Sequence, residues 1–317
     1  MANLEDSIVA TLFDQSKEVA NQVVHHNVLL NTLDDRGNIR RFSGGYEIRK
    51  PVLYNETAQG NFYSGYDSFD LSAINDLDAF QFAIRQVYEP LAISGREKRA
   101  NTSEEQLLDL VENKMEASVA RLKNRVSDSI LGDGTGFGGR EFSGVSLMIS
   151  TTPSSGTYGS IDRSTNTWAR NLAVSSGGLS TSNIQANCTD MIMRLSRGSE
   201  GPDLALATRA NWSLLHQSLT PIQRINDKSD KAKGGFRAIS WNGVDFVYDG
   251  GYGGSVLASG IRFMNTKYIT FDIVREADFK PAEQKPVRPV DQDAFFTVIL
   301  VEGNLCCAAP ALQGVLT

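Results

Sequence analysis

The chain has 317 residues and a mass of 34.6 kDa, and its 31 basic and 37 acidic residues give a formal net charge of −6. This balance argues against a protein whose main task is to grip phosphate backbones, because that task needs a clustered basic surface. Apolar residues make up 41% of the chain, which is enough for a folded core. No window reaches the roughly 18 consecutive apolar residues of a membrane span.

The N-terminal sequence and the cysteines bear on the compartment. Acidic residues stand among the first 14 positions, where a secretory signal has basic residues and then an apolar run, so we do not expect secretion by that route. The three cysteines are Cys188 and the adjacent Cys306 and Cys307. They form no CxxC pair, and their number is odd. We therefore expect a reducing compartment, no disulfide framework and no zinc site.

Residues 1–35 have helical spacing in patches, and their apolar positions include Leu12 and Phe13. The segment ends at a turn signal, residues 34–37. Its apolar stripe needs a surface to cover it, either in this chain or in a neighbouring copy.

Two segments with period-two alternation flank a polar tip. The first runs from Gly44 to Leu53 and contains Pro51, which predicts an edge strand. The second contains Phe80 and Phe82 on one face. The sequence thus predicts an extended hairpin with a Gly- and Tyr-rich tip, NETAQGNFYSGYDS. Because an isolated two-stranded hairpin is marginally stable in water, we expect it to pack on something else.

Residues 103–131 carry the clearest helical pattern. Acidic residues precede basic ones, as the helix dipole favours, and Gly132 stands in the usual C′ position. Thr102 and Glu105 have the spacing of a capping box. The sequence predicts a helix about 40 Å long. Its apolar side chains recur every three or four positions and form one stripe: Leu108, Val111, Met115, Val119, Leu122, Val126 and Ile130.

The remainder mixes helices and strands after a glycine-rich loop, residues 132–139. The patterns predict helices over 181–197 and 211–219 and strands over 145–149, 204–208, 236–241, 244–248, 261–264 and 268–273. A pair of apolar strands, 295–301 and 305–309, is expected to run through the core. Since there is no repeat and no regular βαβ alternation, the fold class is α+β.

The glycine-rich loop matches G-x-G-x-x-G through Gly134, Gly136 and Gly139. That fingerprint binds a pyrophosphate only when it follows a strand and opens a helix. Here it follows the long helix, so a connector is the favoured interpretation.

The remaining candidates for chemistry are isolated. The adjacent His25 and His26 would point roughly 100° apart on a helix, so they do not form a metal pair, and His216 stands alone. No G-x-S-x-G motif occurs. Arg163 and Trp168 are interpreted as anchors of a polar loop. We predict no enzyme activity, no cofactor and no metal site.

Several stretches carry a family resemblance. They are LLDLVENKMEASVARLKNRVSDSILGDGTGFGGREFSGVSLMI, GSIDRSTNTWARN, ALATRANWSLLHQSL, ISWNGVDFVYD with IRFMNTKYI, and FFTVILVEGNLCCAAPALQGVL. In this order they resemble the major capsid protein of tailed bacteriophages, with the fold named after a Hong Kong phage isolate. Together they span most of residues 80–317.

The resemblance implies a division of the chain into five parts. These are an N-terminal arm (1–42), an extended hairpin loop that reaches over a neighbouring subunit (43–95), a peripheral domain with the spine helix 103–131 (96–180), an axial domain (181–265), and strands that return to the peripheral domain (266–317). The implied candidates for inter-subunit contact are Tyr46, Arg49, Phe62, Tyr63, Tyr66, Leu12 and Phe13. Some family members crosslink subunits through a lysine in this hairpin. Lys50 has that place, but no motif carries the partner asparagine, so we expect no crosslink.

The implied function is structural. Copies of the chain would form hexamers and pentamers of an icosahedral shell around phage double-stranded DNA, in a virion assembled in the bacterial host cytoplasm. The expected partners are other copies, a separate scaffolding protein, a portal protein and decoration proteins. DNA would be contacted only weakly and without sequence specificity, and no membrane or cofactor is expected.

Three alternatives remain from the sequence. An encapsulin-type nanocompartment has the same fold and encloses protein cargo. A phage tail component or adhesin would bind a receptor through the Tyr-rich tip and form a modest cyclic oligomer. A hydrolase that uses serine, His216 and aspartate has no supporting motif.

Overall fold

Two β-sheets organise the chain in the computed structural model, which describes residues 27–55, 62, 64–67, 76–100, 104–219, 238–248, 257, 259–281, 288 and 292–317. For residues 104–110, 112 and 113 only the backbone is described. Among the helices of the described residues, none has the length and apolarity needed to span a bilayer.

The described part of the chain contains seven helices. They are α1 (Val28–Asp35), α2 (Gly95–Ala100), α3 (Glu104–Leu131), α4 (Gly136–Gly139), α5 (Val145–Met148), α6 (Ile184–Leu195) and α7 (Arg209–Ser218). Short 3₁₀ turns occupy Thr167–Ala169, Thr266–Tyr268 and Pro310–Leu312.

Fourteen strands are present in the same residues. They are β1 (Ile39–Phe42), β2 (Glu47–Leu53), β3 (Leu77–Ala83), β4 (Arg85–Ser94), β5 (Thr157–Tyr158), β6 (Ile161–Asp162), β7 (Leu172–Val174), β8 (Leu204–Ala207), β9 (Ala238–Trp241), β10 (Val244–Tyr248), β11 (Ile261–Met264), β12 (Ile269–Pro281), β13 (Ala294–Cys307) and β14 (Gly314–Leu316).

The first sheet has four strands in the order β1-β12-β13-β4. Helix α3 packs against its edge strand β4, and Arg121 on α3 donates to the Glu89 carboxylate on β4 at 2.6 Å. The apolar stripe of α3 is buried from Val111 to Ile130, because a helix with one apolar face needs such a surface to cover it. The helix, the sheet and strands β2 and β3 share one hydrophobic core.

β13 corrects the expected pair of strands at 295–301 and 305–309. It is one continuous strand of 14 residues, which pairs antiparallel with β12 on one side and β4 on the other. The sequence Glu302-Gly303-Asn304 resembles a turn, but a Cβ atom at Gly303 would collide with the Asp272 carbonyl oxygen of β12. Glycine therefore marks a close backbone approach here, not a chain reversal.

α5 corrects the expected strand at 145–149. Residues Val145, Met148 and Ile149 are fully buried, whereas the two residues between them are only partly buried, which is helical spacing. Met148 N–H donates to the Gly144 carbonyl at 3.0 Å. Gly144 lets the chain pass against the C-terminal end of α3, because a Cβ atom there would meet backbone carbonyl oxygens of that helix.

The second sheet has six strands in the order β7-β14-β11-β8-β10-β9. It forms a second hydrophobic core with α6 and α7. Strands β7 and β14 come from residues 96–180 and 266–317, yet they pair in this sheet beside the strands from 181–265. The sheet therefore joins distant parts of the chain.

Candidate subunit interface

Strands β2 and β3 form the expected hairpin, and aromatic side chains fix its inner face to the subunit. They pair antiparallel from Glu47 with Ala83 to Leu53 with Leu77. The ring of Phe80 lies 5.7 Å from that of Tyr158 and 5.5 Å from that of Trp168. Edge-to-face and tilted pairs at these distances are favourable. These contacts hold the middle of the hairpin against the subunit.

A buried ion pair adds a second anchor to the same face. The Lys50 Nζ atom lies 2.5 Å from the Asp272 Oδ2 atom on β12, and both residues are buried. A buried charge requires such a partner because desolvation is costly. The side chain of Lys50 points into the subunit.

The outer face and the tip of the hairpin carry most of the predicted contact residues. Tyr46, Phe62 and Tyr66 are fully exposed or nearly so. Arg49 is also exposed and lies 3.5 Å from the Glu47 carboxylate. The side chain of this arginine stands on the solvent side of β2. The predicted contact residues Leu12, Phe13 and Tyr63 lie outside the described residues.

Two exposed leucines extend this apolar surface, and the sequence analysis did not single them out. Leu53 and Leu77 are register partners where the hairpin enters its tip, and each is about two-thirds exposed. The tip segment, residues 54–76, connects these two leucines. Its sequence has four acidic residues, no lysine or arginine, and five aromatic residues. Alternation along β2 places Leu53 on the same face as Arg49. This alternation could have predicted from the sequence that Leu53 is exposed.

The predicted spine-helix core lies inside the subunit. Val111, Met115, Val119, Leu122, Val126 and Ile130 are each at most 3% exposed. The side chain of Leu108 is outside the described residues. These residues position the helix and leave its opposite face for solvent or for another copy.

A groove of about 480 Å³ lies beside the C-terminal end of α3. It is bounded by the start of β4, including Val87 and Tyr88, by Arg125 on α3, and by Phe137 and Arg140 after it. The Arg125 guanidinium lies 5.5 Å from the centre of the Phe137 ring. Among the described residues, no carboxylate lies within 4.0 Å of the guanidinium of Arg125 or of Arg140.

The glycine-rich loop presents Phe137 in an unusual backbone conformation. Phe137 has φ 50° and ψ 38° inside α4, a left-handed geometry that costs a residue with a Cβ about 1 kcal/mol. Its side chain is nevertheless 71% exposed. The sequence predicted only a connector in this loop, so the exposure of Phe137 was not expected. An aromatic residue set between glycines on a polar loop was the available signal.

Arginine, cysteine and histidine side chains can take part in catalysis, and the ones described here make packing or loop-anchoring contacts. Arg163 is buried and donates to the carbonyls of Leu147 and Met148 at 3.1 and 2.8 Å, as a loop anchor should. Burial raises the pKa of Cys188 and of Cys307 to about 12, so both are neutral thiols near pH 7. The His216 ring stacks on Trp212 at 5.3 Å. Within the described residues, no three His, Cys, Asp or Glu side chains are grouped to hold a metal ion.

Solved structures show the same fold over nearly the whole chain. The capsid asymmetric unit of cyanophage A-1(L) has a TM-score of 0.60 at 10% identity, covering 88% of this chain and 89% of that chain. The capsid of a native GTA particle has a TM-score of 0.61 at 10% identity, covering 89% and 88%. An encapsulin complex from Synechococcus elongatus has a TM-score of 0.52 at 8% identity, covering 88% and 84%.

No family model matches the sequence, and comparison with curated proteins gives no significant match. The resemblance therefore lies in the order and pairing of the helices and strands. The chain has the mixed helix-and-sheet fold of the Hong Kong-phage type, the fold of phage capsid subunits.

Proposed function

We propose that the chain is a major capsid protein, which assembles into hexamers and pentamers of an icosahedral shell that encloses the double-stranded DNA genome of a phage. The observation that carries this proposal is a hairpin whose base is anchored to the subunit while its apolar end is exposed. Exposed apolar surface of this kind needs cover, and repeated contacts between copies in a closed assembly supply it. The fold shared with phage capsid subunits supports the same role.

The proposed role assigns each part of the chain a place in the shell. Residues 1–42 and 43–95 extend onto neighbouring subunits and make contacts through the candidate residues named above. Residues 96–180 and 266–317 form the peripheral domain, and residues 181–265 form the axial domain at the five-fold and quasi-six-fold axes. Strands β7 and β14 are the exception, because they belong to the sheet of residues 181–265. The role is structural and involves no catalysis.

The net charge of −6 fits a container for DNA. An acidic protein holds packaged DNA by confinement and not by tight phosphate contacts. The proposed partners are a scaffolding protein, a portal protein and decoration proteins. The proposed location is the virion, after assembly in the cytoplasm of the bacterial host.

Sedimentation velocity of the purified protein, with negative-stain images of any fast fraction, tests the proposal. We expect particles of megadalton mass with icosahedral outlines, either from the chain alone or after co-expression with a scaffolding protein encoded beside it. A monomer or a small ring under both conditions would contradict the shell and favour a tail component or adhesin.

An encapsulin-type shell is the second candidate, and the similarity to an encapsulin complex favours it. The contents of shells isolated from the native host separate the two candidates. Double-stranded DNA of uniform length supports the capsid. A single co-purifying protein species and no DNA supports the encapsulin.

A further inference from the structure

We propose that the loop of residues 156–170, which we call the clamp loop, sets the direction in which the hairpin leaves the subunit and thereby the size of the shells that form. This inference rests on the proposed function, because shell size has a meaning only if copies assemble. It goes further by naming the part of the subunit that orients the hairpin.

The clamp loop is itself fixed to the subunit by hydrogen bonds. Its strands β5 and β6 are joined by a two-residue turn, Gly159 and Ser160, with φ values of 54° and 65°, as in a type I′ turn. Arg163 is buried and donates to two carbonyls at the end of α5. The Arg170 guanidinium donates to the carbonyls of Arg163 and Ser164 at 2.5 and 2.6 Å. The loop can therefore support another segment of the chain.

The turn of the clamp loop contacts the edge of β3 that does not pair with β2. The Gln81 N–H donates to the Gly159 carbonyl at 2.9 Å, and the Ser160 hydroxyl donates to the Gln81 carbonyl at 3.3 Å. A Cβ atom at Gly159 would lie only 2.8 Å from Phe80. Glycine therefore allows the loop to approach the strand closely enough to form these bonds.

This edge contact resists a movement that the other anchors of the hairpin leave open. Phe80, Phe82 and Lys50 hold the inner face of the hairpin against the subunit. Because side chains stand roughly perpendicular to the plane of the strands, such contacts oppose lifting of the hairpin more than a swing within its own plane. Backbone hydrogen bonds between neighbouring strands lie in that plane. The two bonds of Gln81 therefore oppose the swing directly.

The position of Gln81 along β3 gives this contact control over the far end of the hairpin. The strand runs four residues from Gln81 to Leu77, or about 13 Å, and the tip segment lies beyond Leu77. A small swing about Gln81 therefore moves the tip by a larger distance. In a closed shell, the direction of a projecting segment sets the angle between successive copies and hence the curvature.

Two glycine substitutions within the clamp loop test the proposal. Gly156 and Gly159 both have positive φ, 81° and 54°, so alanine strains the backbone at either position. A Cβ atom at Gly159 collides with Phe80, whereas one at Gly156 meets none of the described residues within 4 Å. Gly159→Ala is therefore the test variant, and Gly156→Ala is its matched control.

Distances between two spin labels measure the direction of the hairpin. The labels are attached at Leu77→Cys and Met193→Cys, which replace residues that are 67% and 70% exposed. The three native cysteines are buried and contribute little background. Double electron–electron resonance is recorded on unassembled subunits, or on shells in which labelled copies are diluted with unlabelled ones.

We expect Gly159→Ala to shift and broaden the distribution of distances between the labels. Hydrogen exchange of the Gln81 amide should become about tenfold faster, as the loss of one hydrogen bond implies. Negative-stain images should show shells of mixed size in place of one size. Gly156→Ala should match the unaltered protein in all three measurements.

Proline substitutions in β3 provide a second pair of variants if Gly159→Ala fails to fold. Gln81→Pro removes the N–H that donates to the clamp loop, and proline is tolerated at the edge of a sheet. Its control is Ala79→Pro, because the Ala79 N–H donates to the Asp78 carboxylate at 2.7 Å and not to the loop. We expect a shifted and broadened distance distribution from Gln81→Pro and not from Ala79→Pro.

The outcomes separate this inference from the proposed function. An unchanged distance distribution in the test variants overturns the clamp, and so does an equal change in the matched controls. A changed hairpin direction with shells of normal size overturns the link between that direction and shell size. If no form of the chain assembles while Gly159→Ala still changes the distances, the proposed function fails and the clamp stands.

Discussion

The ammonium nitrogen of Lys50 lies 2.5 Å from the Oδ2 atom of Asp272, and this pair joins the hairpin to β12 of the four-stranded sheet. The Thr270 hydroxyl also donates to Asp272 Oδ2, at 3.2 Å. The pair therefore holds β2 of the hairpin against β12.

Removing one partner of this pair should destabilise the protein. Lys50→Met leaves the Asp272 carboxylate buried and uncompensated, and we expect a loss of about 3–5 kcal/mol in the free energy of unfolding. Denaturant unfolding measures it. The matched control is Arg49→Met on the outer face of the same strand, which should cost less than about 1 kcal/mol. The double variant Lys50→Met with Asp272→Leu should recover much of the loss. Equal losses from Lys50→Met and Arg49→Met would contradict the buried anchor.

Helix α3 gives a second stability prediction. Met115 is 1% exposed in the core between α3 and the sheet, so Met115→Asp buries an unpaired charge and should cost more than about 3 kcal/mol. Ala117→Asp, on the exposed side of the same helix, is the control and should change stability by less than about 1 kcal/mol. Thermal unfolding compares the two variants. A similar melting temperature for both would show that the helix does not use this face as its core.

Acid should weaken a contact between α2 and α3. Glu97 accepts hydrogen bonds from Lys114 and from the Ser94 N–H, and these hold the pKa of its carboxyl group at about 2, below its usual value of 4.5. Because the pKa is lower in the folded state, the contribution is present above about pH 4.5 and is lost as the pH falls toward 2.

Comparison of Glu97→Gln with the unaltered protein tests this dependence. The variant should be slightly less stable at pH 7, by less than about 1 kcal/mol because the pair is partly exposed. The difference should shrink as the pH falls from about 4.5 through 2 and disappear only below that. Denaturant unfolding at several pH values measures it. A difference that stays constant with pH would exclude the ionised carboxylate as its source.

The tip of the hairpin should be dispensable for folding and required for assembly. Deletion of residues 57–68 removes Phe62 and Tyr66, which are fully exposed, so circular dichroism and unfolding should match those of the intact chain. Shell closure should fail, with smaller species in sedimentation velocity. Normal shells from the deletion variant would mean that the tip makes no necessary contact between subunits.

Apolar patterns that repeat over many residues or have clear flanking turns predicted helices and strands correctly from the sequence alone. The stripe from Val111 to Ile130 repeats over many turns, and the structure has one helix there. The bounds of β10 and β11 also coincide with the predicted ranges 244–248 and 261–264, because glycine or turn residues flank short apolar runs.

Short or interrupted patterns failed for physical reasons. The run 145–149 is too brief to separate a helical from a strand period. Gly303 interrupts an apolar segment, and its role depends on Asp272, which lies far away in the sequence. Alternation along β2 places Lys50 on the inner face with Ile48, but its partner Asp272 lies on β12, far away in the sequence, so the ion pair could not be predicted. The groove beside α3 combines residues of β4, α3 and the glycine-rich loop, and only the folded chain brings them together.

The six-stranded sheet can be completed only after β14 has been synthesised. This strand lies between β7 and β11 in the six-stranded sheet, yet the ribosome adds it after every other strand of that sheet. Until residues 314–316 emerge, β7 has no neighbour in the sheet and β11 has an open edge. A nascent chain therefore exposes unpaired edges that folding has not yet closed. Only a chain translated past Leu316 can complete this sheet.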